Sequence, residues 1–442
     1  MKLVLKVLDA VLLLLLLPFV ALIVSFERKW CGSRRGAKTT SLFLGNSTLG
    51  WKSDPVEVQA TQALFCHAPI SKTVFMTPSD GSRKPVFRVA SNLVSVHFSC
   101  VPARVLSWSK VLTWLSGDFR FLILAARRSK ALRPLFFEVN FGPEIAVWGI
   151  VFSYLTGLPL VVQVRGNAPL LEHLSQGEVS KRKSTLLWLV RWLWLSFISA
   201  WFYSRANLVL GYNRNNGESA ISQGCAPSRL RHTRIRQFTV FEANSDDKGL
   251  VRESLGILPS DKIVLLWSRL EPGILIEPAF RAMIVVLMRA DNVHFVVAGN
   301  GSLLPELECQ AKEHGLIKRV HLLGYQHRSQ IAAMCRDADV ALLPYGGSTI
   351  IEAASQGLPV ATFDVEWLGE VIEDGVTGYL ADYIDENSMV VKLLEALSDP
   401  DEAKKRARAL KLTTSRMFNL DRIENRESRV ISQFISELRA HG

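Results

Sequence analysis

Apolar residues along this chain fall into two series of short runs, separated by longer stretches with helical spacing. The first series is "SLFLG" (41–45), "TVFM" (73–76), "LVSVHF" (93–98), "LFFEV" (135–139), "LVVQV" (160–164) and "LVLGY" (208–212). A polar, turn-rich break follows at "NSDDKG" (244–249). The second series is "IVLLW" (263–267), "VHFVVAG" (293–299), "VHLLG" (320–324), "VALLPY" (340–345) and "PVATFD" (359–364). Unbroken apolar runs of this length read as parallel strands buried on both faces. The second series predicts helices at about 276–289, 303–314, 328–336 and 350–355. Strand–helix alternation of this kind gives a doubly wound α/β unit, and the first series reads as a less regular one. Two such units side by side would leave a cleft at the carboxyl ends of their sheets, where open α/β folds bind ligands.

Two segments depart from this alternation. Ala10–Phe26 is a run of 17 residues without a charge, at the short end of a spanning helix, and it is followed at once by "ERKW" with no small-residue cleavage site. It reads as an uncleaved membrane anchor, or, with Pro18 inside it, as a segment that dips in without crossing. Arg28, Lys29, Arg34, Arg35 and Lys38 after it would keep the downstream chain cytoplasmic. The other segment, "STLLWLVRWLWLSFISAWFYSR" (184–205), follows "KRK" and holds four tryptophans. It reads as a spanning helix, an interfacial helix, or a domain helix that buries one face and offers the other to a surface.

Composition sharpens this. The chain has 442 residues, 48% of them hydrophobic, which is enough for two cores. Six scattered cysteines without a C-x-x-C argue against a zinc cluster or a disulfide scaffold. Residues 1–240 carry 30 Lys+Arg against 11 Asp+Glu, while the rest is net acidic within an overall charge of +11. The amino-terminal half therefore faces an anionic partner, such as a membrane surface or nucleic acid.

Candidate chemistry gathers in the second series. In "YGGSTIIEAASQGLPV" (345–360), small residues open a helix, so its free N–H groups offer a phosphate-sized anion site at Gly346, Gly347, Ser348 and Thr349. Ser348 or Thr349 can cap, and Glu352 either completes a capping box or accepts hydroxyls beside the anion. Arg269 in "LLWSRLEPG" sits just past a strand, where a guanidinium suits a diphosphate. "VVAGNGSLLPEL" (296–307) offers a tight turn with open backbone at Gly299 and Asn300, but lacks the third glycine of a dinucleotide fingerprint. "DAD" (337–339) precedes a strand and reads as solvated helix-end carboxylates, and His294 and His321 as core histidines. Zincin, nucleophile-elbow and P-loop motifs are absent.

In their order, "SRLEPG", "VVAGNGSLLPEL", "VHLLGY", "CRDADVALLPY", "GGSTIIEAASQGLPVATFD" and "EVIEDGVTGYL" resemble the C-terminal domain of glycosyltransferase family 4, the retaining GT-B enzymes. The resemblance implies an α/β GT-B fold of two doubly wound Rossmann-like domains facing a cleft, here behind an N-terminal anchor helix. The expected division is 1–38 anchor, 39–245 acceptor-side domain, 246–400 nucleotide-sugar domain and 401–442 a helical tail packing back on the first domain. It implies sugar transfer from a nucleoside diphosphate sugar to a glycan or lipid-linked acceptor at the membrane, without metal or cofactor and without nucleic acid. Arg269 matches the diphosphate-binding arginine, Glu352 the ribose-binding second glutamate of E-x7-E, and 346–349 the phosphate loop. Glu370 opens the E-V-I run. The chain departs from the family at Ile274, where Lys is usual, and at Pro344, eight residues before Glu352, where the first glutamate is missing. The Gly-Gly before E-V-I is replaced around Glu366 and Trp367, and Arg165 stands where His is frequent and would supply the cation that Ile274 lacks. The rival readings are a non-catalytic sugar-nucleotide-binding protein, a GT-B epimerase or phosphorylase, and a membrane-bound nucleic-acid protein.

Overall fold

A computed structural model describes residues 40–44, 69–79, 86–90, 93–99, 119–140, 143–164, 196–234 and 250–440. The anchor segment 10–26, the stretch 165–195 with Arg165, and residues 45–51 lie outside the described residues. Among the described residues no helix is long and apolar enough to cross a membrane. The chain divides into two compact units, one drawn from 1–168, 184–236 and 420–442, the other from 169–183 and 237–419.

The first unit runs β1 (Thr40–Leu44), β2 (Lys72–Ser79), β3 (Val86–Ala90), β4 (Leu93–Ser99), α1 (Arg120–Leu132), β5 (Phe136–Asn140), α2 (Pro143–Thr156), β6 (Leu160–Val164), α3 (196–205), β7 (Leu208–Gly211), α4 (Arg214–Ser222) and β8 (Leu230–His232). Its sheet has the order β3-β4-β2-β1-β5-β6-β7-β8. Every pairing is parallel except β3–β4. The antiparallel β3 corrects the all-parallel expectation: it returns directly beside β4 and needs no crossover helix. Strand residues Leu42, Phe137, Val162 and Val209 pack against Phe121 of α1, Phe152 of α2 and Phe202 of α3. Removing such rings from water stabilises the fold by roughly 1.5–3 kcal/mol each.

The second unit runs α5 (Leu250–Leu255), β9 (Lys262–Trp267), α6 (Ile276–Arg289), β10 (Val293–Ala298), α7 (Leu304–Glu313), β11 (Val320–Leu322), α8 (Arg328–Asp337), β12 (Val340–Leu342), α9 (Ser348–Gln356), β13 (Val360–Phe363), β14 (Tyr379–Ala381), α10 (Glu386–Ser398) and α11 (Pro400–Met417). Its sheet is wholly parallel, in the order β11-β10-β9-β12-β13-β14. Strands progress outward in one direction from β9 and in the other from β12, so the topological switch point lies between these neighbours. The last helix, α12 (Leu420–Ala440), belongs to the first unit. There Ile431, Phe434 and Ile435 join Phe136, Leu208 and Leu210 in one apolar cluster, and Thr233 Oγ1 donates to Glu427 Oε1 at 3.2 Å.

Candidate active site

Because every strand of the second sheet is parallel, the loops after β9, β10, β12 and β13 share its carboxyl edge. They bring together Arg269, the 299–301 turn, the start of α9 at 346–349, and Glu370. The loop after β9 and the start of α9 flank the switch point itself. Arg269 is exposed, two residues beyond the end of β9. Trp267, the last residue of β9, donates its indole Nε1–H to Glu352 Oε2 at 3.0 Å and so ties the arginine's strand to α9.

α9 begins without a side-chain cap. Gly347 is its N-cap residue, and no side chain bonds the first-turn amides. Ser348 and Thr349 are already inside the helix, so the expected capping role fails for both. Glu352 lies on the buried face of the second turn and cannot reach back to form a capping box. The two glycines differ. A Cβ on Gly346 would lie 2.0 Å from Leu368 Cδ2, so its bareness serves packing. A Cβ on Gly347 meets nothing within 4 Å, and its φ of −166° is ordinary extended backbone. The amide start therefore opens outward at Gly347.

The 299–301 turn does not match the expectation of open backbone. A Cβ on Gly299 would stand 1.9 Å from the Ser268 carbonyl oxygen, and one on Gly301 2.2 Å from that of Leu270. The glycines let this turn lie flush against the Arg269 loop. The Gly299 N–H already donates to the Gly324 carbonyl at 2.8 Å. Asn300 accepts Leu270 N–H on its carbonyl at 3.0 Å and Gly301 N–H on its Oδ1 at 2.8 Å. Both residues thus support the arginine's loop. Glu271 completes the brace, accepting Ser302 Oγ–H at 2.6 Å and Ser302 N–H at 3.2 Å. Those two bonds hold the Glu271 carboxyl below the usual carboxylate range.

Glu352 is buried at 5% exposure. Besides Trp267, Arg328 Nη2 approaches its Oε1 at 3.3 Å, from a side chain that is 55% exposed. Trp267 and Arg328 were missed in the sequence. Arg328 follows β11 at the same edge as Arg269, and its place after "VHLLGY" is the signal that would have found it. Ile274, the lysine position of the resembled family, is buried. Glu370 ends a 3-10 turn, Leu368–Glu370, after β13 and is half-buried. In the same loop Glu366 holds a left-handed φ of 49°, a conformation natural to glycine and costly for other residues. Tyr345, just before the α9 start, hydrogen-bonds to Glu366, and burial pushes its phenol far up, so it remains a donor.

The "DAD" carboxylates are not solvated, contrary to expectation, and lie at the opposite edge. Asp337 is buried at 5% exposure and accepts Val251 N–H at 3.1 Å, which caps α5. Asp339 accepts Ile263 N–H at 2.9 Å and pairs with Lys262 and Arg252. His294 and His321 are half-buried and bonded to each other at 3.0 Å, with Asp261 on the far ring nitrogen of His294 at 3.3 Å. Among the described residues no group of three or more His, Cys, Asp or Glu is arranged to hold a metal ion.

An uncapped helix start and an exposed arginine thus flank the switch point. Residues 247–412 match the family model of the glycosyl transferases group 1. Glycogen synthase from Mycobacterium tuberculosis is 29% identical over 141 residues, covering 30% of this chain and 34% of that protein. The alpha-monoglucosyldiacylglycerol synthase of Streptococcus pneumoniae is 31% identical over 172 residues, 38% of each chain. The chain thus spans about a third of the length of the curated relatives it matches. The structure of Anabaena HepE in complex with UDP and glucose superposes with a TM-score of 0.66 at 18% identity, covering 89% of this chain and 99% of that one. Likeness over nearly the whole chain gives the GT-B-like α/β fold, two Rossmann-like sheets.

Proposed function

We propose that this protein transfers a sugar from a nucleoside diphosphate sugar to a glycan or lipid-linked acceptor at a membrane surface, with retention and without a metal ion. The observation that carries the reading is the pairing of exposed Arg269 with the uncapped start of α9 across the switch point of the second sheet. In this mechanism Arg269 and the amides at 347–349 stabilise charge growing on the leaving diphosphate, so that catalysis is chiefly positioning and electrostatic stabilisation. The leaving phosphate accepts the acceptor's proton, and no side-chain nucleophile takes part. The buried Glu352 positions α9 through Trp267. It meets the ribose diol when Arg328, its exposed partner, swings away. UDP and glucose in the HepE complex and the lipid-linked product in the name of the pneumococcal relative favour this class of donor and acceptor. An anchor at 10–26 with the basic residues after it would keep the catalytic units on the cytoplasmic side.

Transfer of radiolabelled sugar from a panel of nucleoside diphosphate sugars into a membrane extract tests this. The reading requires turnover that Arg269→Ala abolishes. The specific observation behind a second reading, a non-catalytic sugar-nucleotide binder, is the buried Ile274 beside a loop lacking its first glutamate. Donor binding by calorimetry without turnover with any acceptor would select it.

A further inference from the structure

The first unit carries a separate basic surface at the amino edge of its sheet, away from the carboxyl edge. Before β6 and β7 the chain forms an open recess of 450 Å³, lined by Tyr154, Gly157, Ser204, Arg205, Asn207 and Arg229 among others, and among the described residues no carboxylate lines it. Arg229 Nη1 donates to the carbonyls of Ser204 and Ala206, both at 2.8 Å, which fixes its charge at the carboxyl end of α3. Arg205, the last residue of α3, is exposed.

Tyr154 lines this recess, and further aromatic residues are exposed on α3, whose last residues Ser204 and Arg205 also line it. Tyr154, Trp201 and Phe197 are 40%, 47% and 62% exposed. Phe197 and Trp201, one turn apart on α3, face each other with ring centroids 6.3 Å apart. The opposite face of α3 buries Ile198, Phe202 and Tyr203 in the core. A surface helix ordinarily turns polar residues outward; the outward face of this one sets Phe197, Ala200 and Trp201 between Ser196 and Ser204, and ends in Arg205. In sequence it continues the stretch that begins with Lys181, Arg182 and Lys183 and holds Trp188, Trp192 and Trp194. Exposed aromatic rings beside arginines are the composition of elements that lie in the headgroup layer of a bilayer.

We propose that this face docks on an anionic lipid surface: Phe197, Trp201 and Tyr154 enter the headgroup layer, and Arg205 and Arg229 meet lipid phosphate. Charge argues against a second copy of the chain as the occupant, because a two-fold contact over this face would bring together two arginine-bearing surfaces whose described lining offers no carboxylate to pair them. The inference deepens the membrane-acceptor reading and rests on it for its purpose, but lipid contact needs neither donor nor turnover.

The apolar run at 10–26 can partition by itself, so the readout must be local to α3. The full chain carrying photoreactive p-benzoylphenylalanine at position 197 is mixed with phosphatidylcholine vesicles, with or without phosphatidylglycerol, and irradiated. A second sample carries the probe at Leu258, which is 62% exposed on the other unit. Lipid adducts are expected at 197 and not at 258, increased by phosphatidylglycerol and reduced by salt. Arg205→Glu should lower the phosphatidylglycerol-dependent yield roughly fivefold or more, with thermal unfolding unchanged. Adducts at 197 no more frequent than at 258, chain-to-chain adducts in place of lipid, or a charge reversal without effect would each overturn the proposal. Failure here with sugar transfer intact would remove the docking face and keep the transferase, and the reverse outcome would do the opposite.

Discussion

Two helix starts in the second unit solve the same problem in opposite ways. At the amino edge of the sheet, α5 is closed by the Asp337 carboxylate, and neighbouring Asp339 accepts the Ile263 amide of β9. At the carboxyl edge, α9 begins at Gly347 with no side chain on its amides. α10, which starts after β14 at the carboxyl edge, and α11 are also capped, by Asp385 and Asp399. Free helix amides are costly when nothing satisfies them. α6 and α7 also begin without a side-chain cap, at Leu275 and Leu303; what sets α9 apart is a glycine start with open space beside it and an exposed arginine in the neighbouring loop, which leaves room for an anion. The start of α5 is therefore closed for stability, and the start of α9 is left open for binding.

The sharpest test separates the two edges by mutation. Arg269→Ala should lower kcat/KM for sugar transfer by about 10²–10³-fold, the magnitude for loss of a preorganised charge-stabilising donor. Its Tm should not move, because the side chain is exposed. Asp337→Ala should do the reverse. It leaves buried N–H groups of α5 without their acceptor and costs about 2 kcal/mol in denaturant unfolding, with donor affinity unchanged. If Arg269→Ala unfolds the protein, or Asp337→Ala abolishes donor binding, this division is wrong.

The paired glycines sharpen the comparison within one edge. Gly346→Ala drives a methyl group into Leu368 and should cost about 1–3 kcal/mol of stability, as overpacking does. Gly347→Ala adds a methyl group where no protein atom lies within 4 Å, so the fold should hold. The same methyl group would stand between a diphosphate and the amides. Loss of one charge-assisted hydrogen bond, about 1.5–3 kcal/mol, would then weaken donor binding tenfold or more. Isothermal titration of both variants decides the matter; equal donor affinity for Gly347→Ala and the parent would mean that the amides are not used.

Much of this fold could be read in the sequence, for a physical reason. Parallel strands buried on both faces leave unbroken apolar runs, so "LVVQV" and "VHFVVAG" marked β6 and β10 directly, and the amphipathic period of 276–289 gave α6 to the residue. β3 escaped because Arg88 breaks its run, and β8 and β14 because they are three residues with no longer apolar run around them, whereas the equally short β11 and β12 sit inside "VHLLG" and "VALLPY". In the site, the place of Arg269 followed from the strand before it. What each neighbour does depends on distant contacts that local patterns do not encode. The Gly299 and Gly301 pattern suggested ligand approach, whereas the carbonyls of Ser268 and Leu270 occupy that space. Glu352 looked like a cap until Trp267, 85 residues away, claimed its carboxylate. Glu366 keeps a glycine-like φ where the resembled family has glycine, so backbone shape persisted where residue identity did not.

The smallest expected effect concerns the brace under Arg269. Glu271 accepts two hydrogen bonds from Ser302, and these hold its carboxyl below the usual range. A carboxyl depressed in the folded state contributes fully above its unfolded value, and that contribution is lost as the pH falls through the folded one. Protection of the Ser302 amide against hydrogen exchange, corrected for the intrinsic rate, should therefore be flat through neutral pH. It should fall only below the ordinary glutamate range, as the protonated carboxyl lets go of the turn. Glu271→Gln can still accept the amide but without charge, so the step should disappear while a reduced protection remains. A step of unchanged size in that variant would mean that another carboxylate governs the loop. The Glu271–Ser302 bonds would then add little, and Arg269 would owe its position to close glycine packing and to backbone bonds such as Leu270 N–H to the Asn300 carbonyl.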